Sequence, residues 1–152
     1  MAMHKEIQYS RYLPRQLFDL VLDIEKYPEF LPWCSDARIL KSESNIILCE
    51  LGIRFQTFHT KYTSKIEYHI PNDINEEYVI KVEMIEGPFK YLNNFWRFKF
   101  DQQKIRTKID FEIDFCFNST MLQKLMRLLF KRALVAMIAV FKKRAELVYG
   151  DN

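Results

Sequence analysis

Three histidines, three cysteines and several regularly spaced carboxylates are the side chains in this sequence whose types could support chemistry. A metal site needs ligands within a few residues of one another or on adjacent elements. His59 and His69 share a parity, but at 3.3 Å per residue a strand would hold them about 33 Å apart. Nothing beside them has ligand spacing, so no metal is expected. Cys34, Cys49 and Cys116 are odd in number, widely separated and without a CxxC pair. They read as reduced thiols of a cytoplasm-like compartment. Cys34 follows Trp33 in a distinctive stretch, yet no histidine lies near it in sequence to act as base to a nucleophile. Asp110, Glu112 and Asp114 resemble paired carboxylates for acid–base work, but they alternate along a period-two stretch that also carries Lys104, Arg106 and Lys108. Such spacing makes a solvated ladder on the wet face of a sheet. Asp23 and Glu25 could orient a polar headgroup if they turned inward beside Trp33; helix capping and exposure are the competing reading. With no Gly-rich phosphate loop and no GxSxG, neither a catalytic residue nor a resident cofactor is expected, and the chain reads as a binder and not an enzyme.

The elements that would position these residues follow from the hydrophobic pattern. The chain has 152 residues, 49% hydrophobic and 15% aromatic, with only three Gly and five Pro. That is the size of one domain, taken here as residues 1–152, with aromatic area suited to a sheet that lines a pocket. His4–Tyr9 alternates as a first strand. Pro14 opens a helix over residues 14–22, with Leu17, Leu20, Val21 and Ile24 at helical spacing. Pro28 and Pro32 limit any second helix to about one turn. From Ser35 the period becomes two: residues 37–43 and 46–54 form a hairpin about Ser44-Asn45, and further strands follow. The last is the cleanest, with Ile105, Thr107, Ile109, Phe111, Ile113, Phe115 and Phe117 facing inward.

Residues 119–147 then read as one long helix whose core stripe is Leu122, Leu125, Met126, Leu129, Ala133, Met137 and Val140. Helices segregated to one face of an antiparallel sheet of six or seven strands make an α+β fold, with two short helices near the N-terminus. A long helix across a curved sheet leaves room for a hydrophobic ligand. Phe30, Leu31, Trp33, Phe89, Trp96, Phe98, Phe111, Phe115, Met126, Leu129, Phe130, Ala133 and Met137 are the candidate cavity residues. Each has ordinary core packing as its alternative. Tyr27-Pro28-Glu29-Phe30-Leu31-Pro32-Trp33 reads as a packed corner and as a gate over the cavity mouth, two compatible roles.

The stretch 128–141 is apolar nearly all round, so Leu134, Val135 and Ile138 fall outside the expected stripe. From Asn118 onward seven bases face two acids. Lys131, Arg132, Lys142 and Lys143 flank the surplus apolar surface. Burial of the apolar patch under the N-terminal helices or in a dimer, and a solvated face, an anionic membrane or RNA for the cations, are the readings this pattern leaves open. The N-terminus carries no apolar leader and no stretch reaches the ~20 apolar residues of a membrane span. A bacterial cytoplasm, with peripheral contact at the inner membrane, is the expected location.

Four segments carry a family resemblance. Asp23-Ile24-Glu25-Lys26-Tyr27-Pro28-Glu29-Phe30-Leu31-Pro32-Trp33-Cys34 resembles the opening signature of the coenzyme Q-binding START-like family, which includes the ribosome association toxin A proteins and belongs to the polyketide cyclase/START superfamily. Glu86-Gly87-Pro88-Phe89-Lys90-Tyr91-Leu92 with Trp96 and Phe98, Asp110–Phe115 with Asn118-Ser119, and Ala136-Met137 through Phe141, Arg144-Ala145 and Tyr149-Gly150 are similar to its later segments. The resemblance implies a helix-grip fold and a bound ubiquinone or related polyisoprenoid lipid, in support of respiration. It equally implies association with a ribosomal subunit, and, less directly, polyketide cyclisation.

Overall fold

The computed structural model describes residues 2–73 and 76–151, with the side chains of Ala2, Leu125 and Met126 outside the described set. Seven strands, β1 (Ala2–Ser10), β2 (Cys34–Glu43), β3 (Ile46–Phe55), β4 (Phe58–His69), β5 (Tyr78–Glu86), β6 (Phe89–Asp101) and β7 (Arg106–Phe117), form one sheet. Its order is β1-β7-β6-β5-β4-β3-β2, and every pairing is antiparallel. Helix α1 (Pro14–Leu22), a 3₁₀ turn (Ile24–Glu29) and helix α2 (Thr120–Tyr149) complete the chain.

Alternation in β7 decides which way the sheet faces. Thr107, Ile109, Phe111, Ile113, Phe115 and Phe117 are buried, while Lys108, Asp110, Glu112 and Asp114 are only partly covered. On that outer face Glu112 meets Lys5 of β1 at 3.8 Å and Arg97 of β6 at 3.9 Å, the charged ladder the spacing suggested. Ile105 departs from the expected pattern. It stands at φ 52 in the turn before β7 and is 69% exposed. The turn wins over alternation there because Asp101 Oδ1 accepts hydrogen bonds from Gln103 N at 3.0 Å and Lys104 N at 3.1 Å.

Helix α1 buries Leu17, Phe18, Leu20 and Val21. Phe18 packs edge-on to Tyr68 of β4 and tilted to Tyr78 of β5, closing that end of the sheet. The 3₁₀ turn contains Pro28, which has no N–H to give. Tyr27 O instead accepts from Phe30 N at 3.1 Å and Leu31 N at 2.8 Å, and Trp33 O then accepts from Arg54 N at 2.7 Å. These bonds seat the two-proline corner against β3.

Helix α2 begins at Ser119, whose Oγ accepts from Leu122 N at 3.3 Å, and ends where Gly150 adopts φ 69. Its buried face is Phe130, Leu134, Met137, Ile138, Phe141 and Ala145, with Leu122, Leu129, Ala133 and Val140 only partly covered. The expected stripe is therefore corrected by a rotation: Leu134 and Ile138, assigned outside it, are among the most buried residues of the helix. Leu125 and Met126 of that stripe lie outside the described side chains. A helix apolar on most sides carries too weak an asymmetry to fix its own face, so the sheet chooses it.

Gly87, in the connection from β5 to β6, lies close against Tyr62 of β4. A methyl group there would stand 2.5 Å from Tyr62 Cβ and 3.2 Å from Tyr62 Cα. Gly87→Ala is expected to cost about 1–3 kcal/mol through this overlap. Thermal unfolding that matches wild type would show that the β5–β6 connection gives way without loss.

Candidate functional site

Between the concave face of the sheet and α2 lies a cavity of about 80 Å³. Strands β3 to β7 supply Cys49, Leu51, Tyr62, Ser64, Ile66, Ile80, Val82, Leu92, Asn94, Trp96, Phe111 and Ile113. Helix α2 supplies Phe130, Ala133, Leu134, Met137 and Phe141, and the N-terminal corner supplies Val21, Ile24, Tyr27, Leu31 and Trp33. No Asp, Glu, Lys, Arg or His lines it among the described residues. Beside it a groove of about 360 Å³ runs between α2, the Pro32 corner and the β3–β4 turn. Leu31, Trp33, Ala133 and Met137 line both spaces and form the partition between them.

Of the residues singled out from the sequence, Leu31, Trp33, Trp96, Phe111, Phe130, Ala133 and Met137 meet at the cavity. Leu129 lines the groove instead. Phe89, Phe98 and Phe115 are buried but stand outside the lining; Phe89 and Phe115 pack around Phe130 at ring distances of 5.7 and 4.6 Å. Phe30 lies behind the corner, stacked edge-on to Phe141 at 5.2 Å with the Arg144 guanidinium over its ring. The side chain of Met126 lies outside the described residues. Asp23 and Glu25 are exposed and do not turn inward; Glu25 Oε2 accepts from Ile39 N at 3.1 Å. Sequence reasoning missed Ser64, Cys49 and Phe141 as lining residues. Ser64 falls two residues from Tyr62 and from Ile66, so period two would have placed it inward. Phe141 was hidden by the rotated helix face.

A model of the family described as polyketide cyclase / dehydrase and lipid transport matches residues 11–142. The chain belongs to that family. Among curated relatives it is similar to the ribosome association toxin RatA of Rickettsia prowazekii, 39% identical over 137 residues that cover 90% of this chain and 91% of that one. It is also similar to the coenzyme Q-binding protein COQ10 homolog B, mitochondrial, of Xenopus laevis, 27% identical over 154 residues, with 96% of this chain and 61% of that one covered. The Zhui aromatase/cyclase from Streptomyces sp. R1128 superposes with a TM-score of 0.78 over 95% of this chain and 93% of its own. Its 15% identity makes that a likeness of fold, the helix-grip arrangement.

In this family member the cavity's polar groups are few and mostly committed. Asn94 Nδ2 donates to Glu112 O at 2.9 Å and Asn94 Oδ1 accepts from Trp96 Nε1 at 3.1 Å. Tyr27 OH donates to Val21 O. Burial pushes the Tyr27 and Tyr62 hydroxyls above the ordinary phenol range, so both stay protonated. Burial likewise pushes the Cys49 thiol up to about 11 and that of Cys34, beside Asp36, up to about 12. A thiol held protonated is a poor nucleophile.

The thiols also set a pH dependence. An unfolded cysteine ionises near 8.5, so the folded state is favoured below that value. Stability falls as pH rises from about 9 through about 11 and 12, where the folded thiols finally ionise. In a Cys116→Ser variant, alkylation by iodoacetamide at pH 8 is expected at Cys34 and Cys49 only after denaturant is added. Rapid labelling of the folded protein at either would contradict the burial argument.

Proposed function

We propose that this chain binds a neutral hydrophobic small molecule, ubiquinone or a related polyisoprenoid lipid, and carries it without transforming it, in support of respiratory electron transport. The observation that carries this reading is a cavity lined, among the described residues, by uncharged side chains alone and adjoining a larger, mostly apolar groove edged by Arg54 and Arg132. An ion taken into such a space would lose its hydration without a counter-charge, whereas isoprenoid area gains from burial. Roughly 300 Å² at ~25 cal/mol/Å² gives about 7–8 kcal/mol before association costs. The cavity alone is smaller than the ~150 Å³ that holds one benzene. A ring with its tail would therefore push the partition aside and occupy cavity and groove together. Cyclisation is the less favoured reading, because a general base within reach of the substrate is absent from the described lining.

The outer face of α2 fits a carrier that works at a membrane surface. Met121, Leu128 and Val135, 72%, 60% and 53% exposed, repeat every seven residues along one line. Lys124, Lys131 and Lys142 follow one flank of that line, and Arg132 and Lys143 the other. Apolar area between cations suits an anionic bilayer. No helix among the described residues is long and apolar enough to cross a membrane.

Association with a ribosomal subunit is the second reading. It is supported by the relative named a ribosome association toxin at 39% identity and by the same cations facing RNA phosphates.

Two measurements separate these. Ala133→Trp fills the partition and is expected to abolish binding of decylubiquinone with the circular dichroism spectrum intact; unchanged affinity would remove the cavity from the site. Changing Lys131, Arg132, Lys142 and Lys143 to Gln is expected to weaken sedimentation with anionic liposomes, increasingly so as salt is lowered, by about 1 kcal/mol per cation. Co-sedimentation with a ribosomal subunit, lost in the same variant while liposomes are ignored, would favour the second reading over the first.

A further inference from the structure

Within this uncharged lining one wholly buried side-chain oxygen has no partner among the described residues. Ser64 is 1% exposed, and its Oγ makes no hydrogen bond among the described residues. It stands mid-strand on β4, opposite Cys49 of β3 and Met84 of β5, with its side chain on the cavity lining. Of the neighbouring polar groups, both ends of the Asn94 amide and the Tyr27 hydroxyl are engaged with the protein itself. An unpaired buried hydroxyl costs more than its replacement by a methyl group, so a strand gains nothing structural by keeping one. Along β4, Ser64 stands five residues, about 17 Å, from His59, the partner of the groove residue Arg54 of β3.

We infer that Ser64 is the anchor for the polar end of the ligand, which enters head first, sets a neutral oxygen against the Ser64 hydroxyl, and leaves its apolar tail to run out past Trp33 and Ala133 into the groove. The inference rests on the reading of the cavity as a ligand site and adds to it an orientation and a chemical requirement. The head must be uncharged and must carry an oxygen, as a quinone carbonyl or an alcohol does; a hydrocarbon of equal size leaves Ser64 unpaired. Tyr62, two residues away on the same face of β4, places a second hydroxyl-bearing ring beside that head.

The test uses displacement of diphenylhexatriene from the full chain by matched pairs: decylubiquinone against decylbenzene, and 1-dodecanol against dodecane. Wild type is expected to prefer the oxygenated member of at least one pair by about fivefold or more, and Ser64→Ala to lose that preference while binding the hydrocarbons unchanged. Ligand-free Ser64→Ala should melt no lower than wild type, because no protein hydrogen bond is lost. A preference for dodecanol without one for decylubiquinone would defeat the quinone reading and leave the anchor standing. Equal affinity within both pairs in wild type, or a preference that survives Ser64→Ala, would overturn the anchor. A lowered melting temperature in the ligand-free variant would assign Ser64 a structural bond instead. If no compound displaces the dye, both the cavity reading and the anchor fail.

Discussion

A helix of 30 residues, about 45 Å long, carries more apolar surface than this sheet can cover, and the fold depends on how it is fastened. The C-terminal end is held from three directions. Tyr12 OH and Arg11 Nη2 both donate to Gly150 O. Tyr149 OH donates to Gln16 O at 2.8 Å, and Arg144 Nη2 reaches Glu29 Oε1 at 3.2 Å. Tyr12 is in turn fixed to the sheet, since Thr107 Oγ1, wholly buried, donates to Tyr12 O at 2.5 Å. Ala145, near this end, is 0% exposed. Toward its N-terminus the helix is held by aromatic contact, Phe130 against Phe115, Phe117 and Phe89, and by Gln123 Oε1, which accepts from Phe117 N at 2.9 Å. Hydrogen bonds thus fasten the helix near both ends, with the aromatic contacts of Phe130 between them.

Phe141 joins the two regimes. Its ring meets Trp96 at 5.2 Å, Tyr27 at 5.6 Å and Phe30 at 5.2 Å, all edge to face. Such pairs add to plain area burial and fix relative orientation. The two-proline corner, the sheet and the helix thus share one aromatic joint. The cavity begins on the far side of that joint, where Ala133 and Met137 present a small side chain and an adaptable one.

Much of this was legible in the residues themselves. Period two along residues 106–117 gave the sheet a wet and a dry face, and Pro14 and the Pro28–Pro32 corner set the N-terminal elements. The candidate cavity was readable in part, because Trp96, Phe111 and Met137 do meet across it. The face of α2 was not readable, since Leu129, Ala133, Leu134 and Ile138 are equally apolar and only the shape of the sheet chooses among them. Ile105 misled because alternation continues through a turn that Asp101 has already capped. Ser64 falls in step with Tyr62 and Ile66 along β4, but a lone serine among apolar neighbours attracts no notice until its missing partner is seen.

The pairing of β1 with β7 has a consequence for how the molecule is made. The first strand to leave the ribosome finds its neighbour only after the last strand, so Ser10 waits for Thr107, almost a hundred residues later. At 5–20 residues per second that is about 5–20 s of synthesis. Throughout it the concave aromatic face is uncovered, because the helix that roofs it is translated last of all. Until α2 follows, the apolar face of such a sheet has no roof, while the charged residues Lys5, Arg97 and Glu112 lie along its other face.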